Sequence, residues 1–164
     1  MILCNINKSE IPTVSARKGC EVKDVQLNDL KTDGVNLVSY GLKEGDQFEF
    51  PDTIEDVKLK LRQVSVQRDT WEVLILGLKN GKPAWLSAAN LHRWDYQTNP
   101  VHPVARELRY CNSLSERIEQ CLGRTIIAEE DVTYNEAIFE DGIRTKKFKP
   151  RTISKLSFLD TISR

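Results

Sequence analysis

Apolar and polar positions alternate along much of this chain, and the alternation predicts strands. Val57, Leu59 and Leu61 take every second place, with Lys58, Lys60 and Arg62 between them, as expected for a strand with one face on a core. After Gln63 the apolar phase moves to Val64 and Val66. A β-bulge near Arg62-Gln63 is therefore expected, because it keeps both sets facing inward. Gln47-Phe48-Glu49-Phe50 alternates in the same way, entered from a polar turn with glycines at 41 and 45 and stopped by Pro51.

Residues 71–78 are the most apolar run, and Asn80-Gly81 follows them. Asn-Gly suits a two-residue type I′ hairpin turn, in which both central positions need positive φ. That register sets Leu76 opposite Trp85, with Trp85 in the core, and Gly77 opposite Ala84. It also sets Lys79 against Lys82, a like-charge pair that leaves a four-residue loop as the competitor. Pro83 cannot donate to a ladder, so the returning strand is an edge strand or starts late.

One short helix is expected near 113–122. Ser113 and Glu116 form a capping box, Leu114, Ile118, Cys121 and Leu122 share a stripe, and Gly123 stops the helix. A second β section follows, at 124–128, 132–139, 143–148 and 152–158, with Glu129-Glu130-Asp131 as a turn. Asp141-Gly142 is a second type I′ signal. Its register would face Glu136 with Lys147 and Ala137 with Lys146, pairing an acidic strand with a basic one. Residues 1–34 are weakly periodic and read as an N-terminal arm plus a first element. Val22, Val25, Leu27 and Leu30 fit a strand or a short helix equally.

The fold class expected is mainly β, a single-domain barrel or sandwich with that one helix. The β-rich domain spans 35–164, and the proline-bounded loop at 97–103 is where two halves would divide. Length fits this, since 164 residues with 40% apolar side chains can bury a core without metal or disulfide. Lysine plus arginine equals aspartate plus glutamate, 24 against 24, which argues against a wholly anion-binding surface and leaves room for a local patch.

Candidate chemistry is sparse. Cys4, Cys20, Cys111 and Cys121 form no Cys-x-x-Cys pair, so neither a zinc knuckle nor a thioredoxin-type motif is expected. The apolar start breaks at Asn5, which favours reduced thiols in a cytoplasm over export, and no run is long enough for a membrane span. His92 and His102 have no neighbouring nucleophile motif. A Cys111–His102 dyad, or a metal site drawn from Cys4, Cys20, His92 and His102, has no support in spacing. Gly41 and Gly45 lack the lysine and helix of a phosphate loop. The expectation is a non-enzymatic protein without cofactor or metal.

Two features point to binding. Arg144, Lys146, Lys147, Lys149, Arg151 and Lys155 form a basic stretch interrupted by Phe148, the pattern by which oligonucleotide-binding barrels hold single strands. The competing reading is that these residues neutralise the acidic partner strand and guard a sheet edge. Arg93, Trp94 and Tyr96, near His92, place large aromatics beside an arginine in a loop-like stretch, as interfaces often do; capping one end of the domain is the alternative.

Residues 40–50, Tyr-Gly-Leu-Lys-Glu-Gly-Asp-Gln-Phe-Glu-Phe, resemble the turn and strand of AbrB-type swapped-hairpin DNA-binding proteins, a fold much shorter than this chain. The second half, from Trp85 through Gly123-Arg124-Thr125-Ile126 to Phe158, is similar in character to small β-rich proteins of crAss-like tailed bacteriophages. That resemblance implies a virion component or a single-stranded DNA-binding accessory protein, in a bacterial host cytoplasm or a virion. The expected function is structural or assembly-related, with other protein subunits, self or virion, as partners. A single-stranded nucleic-acid-binding module with an OB-like barrel is the alternative.

Overall fold

The computed structural model describes residues 6–27, 41–67, 70–91, 112–141 and 143–159. They form a mainly β domain, as the alternation predicts. The strands are β1 (Val22–Val25), β2 (Gln47–Glu49), β3 (Leu59–Ser65), β4 (Thr70–Lys79), β5 (Lys82–Leu91), β6 (Thr125–Glu140) and β7 (Ile143–Leu159). A helix at Asn112–Cys121 lies one residue earlier than the expected 113–122, so Ser113 falls within it and not at its N-cap. The region left open between strand and helix, around Val22 and Val25, is strand.

All seven strands belong to one antiparallel sheet. β4 is its hub. β5 runs along one edge of β4, while β3 and β2 share the other, β3 against 70–75 and β2 against Leu78 and Lys79. The sheet therefore branches, continuing to β1 beyond β3 and to β6 and β7 beyond β2. Neither a closed barrel nor a two-sheet sandwich results among the described residues. The reason is that β6 and β7 spend their length on each other instead of returning to the outer edges of β1 or β5, which no strand among the described residues covers. No helix among the described residues is long and apolar enough to cross a membrane.

The main core lies on one face. Leu59 and Leu61 of β3, with Trp71, Val73 and Ile75 of β4, meet Phe48, Ile126, Leu114, Ile118 and Cys121 there, so the helix covers this face. Phe48 and Phe50 meet edge to face with centroids 5.3 Å apart. The ring of Phe48 occupies the space over Gly77, where a Cβ would run into it and into the Glu49 carbonyl. Only glycine lets the ring lie that close to β4. Leu74 and Leu76 are buried on the opposite face, which explains the unbroken apolar run of β4.

On that second face Trp85 sits opposite Leu76, half-buried and outside the main core expected for it. Its indole N–H donates to the Pro12 carbonyl at 2.9 Å, and the Lys60 ammonium lies 5.6 Å from its ring centre. Lys60 in turn pairs with Asp24 at 2.7 Å. Beside them Arg62 pairs with Glu72, which also accepts from the Ser87 hydroxyl at 2.8 Å. Glu72 and Ser87 are both buried, and each satisfies the other.

The β4–β5 register follows the Asn80-Gly81 turn as expected, including Lys79 against Lys82. Asn80 has φ 52° and Gly81 φ 83°, the type I′ signs. Pro83 lies on β5, which among the described residues pairs only with β4, so the strand is at an edge of the described sheet. The β3 bulge falls between Gln63 and Ser65, about one residue beyond its expected place. It does not bring Val66 inside; that side chain is exposed, because β3 ends at Ser65.

Candidate functional site

Beyond residue 128, β6 and β7 leave the sheet. β2 pairs with β6 only from Thr125 to Ile127. The last contacts are the Ala128 amide to the Asp46 carbonyl, 2.9 Å, and the Gly45 amide to the Ala128 carbonyl, 2.7 Å. From 129 to 140 and from 143 to 155 the two strands form a ribbon paired only with itself among the described residues. At roughly 3.3 Å per residue the projection is about 40 Å long.

The root of the ribbon is clamped by the glycine-bounded turn at 41–46. The buried Ser154 hydroxyl donates to the Leu42 carbonyl and lies 3.3 Å from Asp131 Oδ1. Asp46 ties this turn to the β4–β5 hairpin by accepting from the Lys43 amide, 2.7 Å, and the Asn80 side-chain amide, 2.9 Å. Those two bonds, with help from the nearby Lys79 ammonium and against a smaller effect of burial, hold the Asp46 carboxyl's pKa below the usual aspartate value. Asn80 Oδ1 accepts in turn from the Gln47 amide at 2.9 Å. The segment that resembles an AbrB-type turn and strand thus holds two hairpins together here.

The expected pairing of an acidic strand with a basic one is present, but its register differs. Next to the turn, Glu140 faces Ile143 and Phe139 faces Arg144, as a two-residue loop requires. Between Ala137 and Phe139 the ladder then shifts, so Glu136 faces Lys149, not Lys147, and Ala137 faces Phe148, not Lys146. Thr145 is the physical cause. Its hydroxyl donates to the Ile138 carbonyl at 2.7 Å and accepts from the Lys147 amide at 3.1 Å, holding the extra residues of β7 in a bulge. A second shift falls between Ala128 and Glu130. Glu129-Glu130-Asp131, expected as a turn, therefore lies within β6 and makes one long strand of two expected ones.

The register assigns the ribbon two faces. One carries Val132, Tyr134 and Glu136 beside Ile153, Arg151 and Lys149; the other carries Thr133, Asn135 and Ala137 beside Thr152, Pro150 and Phe148. On the first face Arg151 reaches Glu136 at 3.0 Å and Lys149 reaches it at 3.9 Å, while Lys155 reaches Glu130 at 3.6 Å. Of the residues singled out for binding, Lys149 and Arg151 are thus drawn together on one carboxylate. Lys146 and Lys147 are exposed near the tip and make no ion pair among the described residues. Arg93, Trp94 and Tyr96 lie outside the described residues, as do His92, His102, Cys4, Cys111 and the 97–103 loop.

Of the apolar part of this surface the sequence singles out only Phe148, as the ring within the basic stretch. Val132 and Tyr134 are exposed, Phe148 is 55% exposed and Ile143 is 71% exposed. In the sequence Val132 and Tyr134 show only as residues of an expected strand at 132–139, with no face assigned. Elsewhere the chemistry is quiet. Cys121, the last residue of the helix, is buried on its inner face, and the thiol's pKa is pushed up by that burial, against the pull of Arg117 and Arg124. Among the described residues no cluster of three metal-ligating side chains occurs.

No family model, curated protein or solved structure matches this chain.

Proposed function

We propose that this chain is a binding and assembly protein that engages other protein chains through the β6–β7 ribbon. One observation carries the reading: the ribbon holds Val132, Tyr134, Ile143 and Phe148 in solvent some distance from the core that would otherwise bury them. Exposed aromatic and aliphatic side chains on a projecting, hydrogen-bonded scaffold are anchors for a protein partner. Virion subunits are one class of chain that such a ribbon would join.

The charge distribution favours this over single-stranded nucleic acid. Lys149, Arg151 and Lys155 are already paired with Glu136 and Glu130, so much of the basic stretch presents neutralised charge to solvent. Lys146, Lys147 and Arg144 keep the alternative alive at the tip, beside Glu140 and Asp141.

A photo-crosslinking residue placed at Tyr134 or Phe148 in the source cell tests the class of partner. Polypeptide adducts are expected. Nucleic-acid adducts, together with single-stranded DNA binding that weakens steeply with salt and is lost when Lys146, Lys147 and Lys149 become alanine, would overturn the reading.

A further inference from the structure

The ribbon has two open edges of opposite charge. Along β6, from 129 to 140, lie Glu129, Glu130, Asp131, Glu136 and Glu140; along β7, from 143 to 155, lie Arg144, Lys146, Lys147, Lys149, Arg151 and Lys155. Among the described residues no further strand pairs with either stretch, and most of their side chains are exposed. An open edge is a row of unpaired N–H and C=O groups that another strand can extend.

We infer that the occupant of this edge is a second copy of the chain, joined head to tail, with the acidic β6 edge of one ribbon against the basic β7 edge of the next. The inference rests on the proposed role of the ribbon in protein assembly and specifies its partner and polarity. Charge decides the polarity. A two-fold joint would lay β6 beside β6 or β7 beside β7, bringing acid rows against acid rows or base against base, which costs stability at each facing pair. The head-to-tail joint continues the antiparallel order of the ribbon, and each row of carboxylates then lies between two rows of cations. Charges that guard each edge against its own kind leave it open to the unlike edge.

Two local features shape the joint. Pro150 has no N–H to give, so a ladder on the β7 edge must run to either side of it. Lys146 and Lys147, without an ion pair among the described residues, lie on the stretch between Pro150 and the tip, where a neighbouring acidic edge would meet them. A joint of this kind is heterologous, so it builds rings or open rows and does not stop at two copies.

The test uses the full chain and two charge-reversed forms that leave the observed ion pairs intact. One carries Glu129→Lys and Glu140→Lys, the other Lys146→Glu and Lys147→Glu. Sedimentation velocity over a wide concentration range should show wild-type species beyond the dimer. Each reversed form alone should associate at least about tenfold more weakly, and an equimolar mixture of the two should recover most of the wild-type affinity. A wild-type chain that stops at dimer, with one reversed form binding wild type more tightly than wild type binds itself, overturns the head-to-tail polarity. A wild-type chain that stays monomeric throughout overturns self-association. The wider protein-docking role then stands or falls on whether the crosslinked adducts are other polypeptides. Unchanged circular dichroism in both reversed forms keeps misfolding out of the comparison.

Discussion

The body of the sheet and the ribbon that leaves it are built from the same antiparallel ladder, yet different forces hold them. In the body, β4 is buried on both faces and each of its side chains has neighbours fixed by packing, down to the ring of Phe48 over Gly77. In the ribbon there is no second layer among the described residues. Its order comes from cross-strand ion pairs, the hydroxyls of Thr133 and Thr152 at 3.2 Å, and the Thr145 bulge. Surface ion pairs contribute about 0.5 kcal/mol each, against about 2–3 kcal/mol for burying a large apolar side chain. The body is therefore expected to set the stability of the chain, and the ribbon to set what the chain meets.

The sharpest way to probe that division is at Gly77. Gly77→Leu forces a side chain into the Phe48 ring and the Glu49 carbonyl, and should cost at least about 3 kcal/mol in urea denaturation, enough to unfold a marginal domain. A small effect there would mean that the body is loosely packed. Glu72→Ala comes next, at about 2 kcal/mol, since it strips the buried Ser87 hydroxyl of its acceptor and leaves Arg62 without its carboxylate. The same denaturation series measures it.

Asp46 lies at the joint between the two regions and makes stability depend on pH. Its carboxyl ionises below the usual range, so its contribution is complete above about pH 4 and is withdrawn as pH falls through the folded value. Wild type should lose stability on acidification that Asp46→Asn does not lose, with the difference read from melting curves at neutral and acid pH. Parallel curves would remove Asp46 from the clamp.

The smallest stability effects belong to the ribbon. Thr145→Val should cost about 1 kcal/mol or less, and should raise amide exchange only near the bulge, at Lys147 and its neighbours. Replacing residues 132–153 with Asn-Gly should leave the unfolding free energy within about 1 kcal/mol of wild type, because a solvated two-stranded ribbon is barely stable by itself. It should nevertheless abolish association. A large loss of stability on that truncation would erase the distinction between the regions.

The same contrast explains what could be read before the structure. Where a face is buried, the pattern is strict, and Leu59 to Leu61, the β4 run and the Asn80-Gly81 register could be placed residue by residue, although the strand expected from Val57 begins only at Leu59. A two-residue turn leaves its strands no freedom, and both central φ values follow from the turn type. In the ribbon neither face is held to be apolar, so alternation weakens and two continuous strands looked like four segments. The acidic run at 129–131 seemed a turn because its pairing partners, such as Lys155 for Glu130, lie far along the chain. The register beyond Asp141-Gly142 was misplaced because one threonine hydroxyl accommodates extra residues, which no periodicity reports. The candidate surface was legible in its charge pairing and missed in its exposed apolar residues, since Val132 and Tyr134 at alternate positions look the same whether they meet a core or water.

Glu129 is the extra residue at the root of the ribbon, where β6 takes one step more than β7. Such an insertion bends a strand and increases its twist, so it acts like a rudder on the long hairpin beyond it. Removing Glu129 takes one carboxylate from the acidic edge but would leave Val132 against Ile153 and Glu136 against Lys149, with the ribbon from Glu130 to the tip intact, yet aimed along a different heading. Chains that differ by one residue at this point could carry identical ribbons and still build assemblies of different curvature.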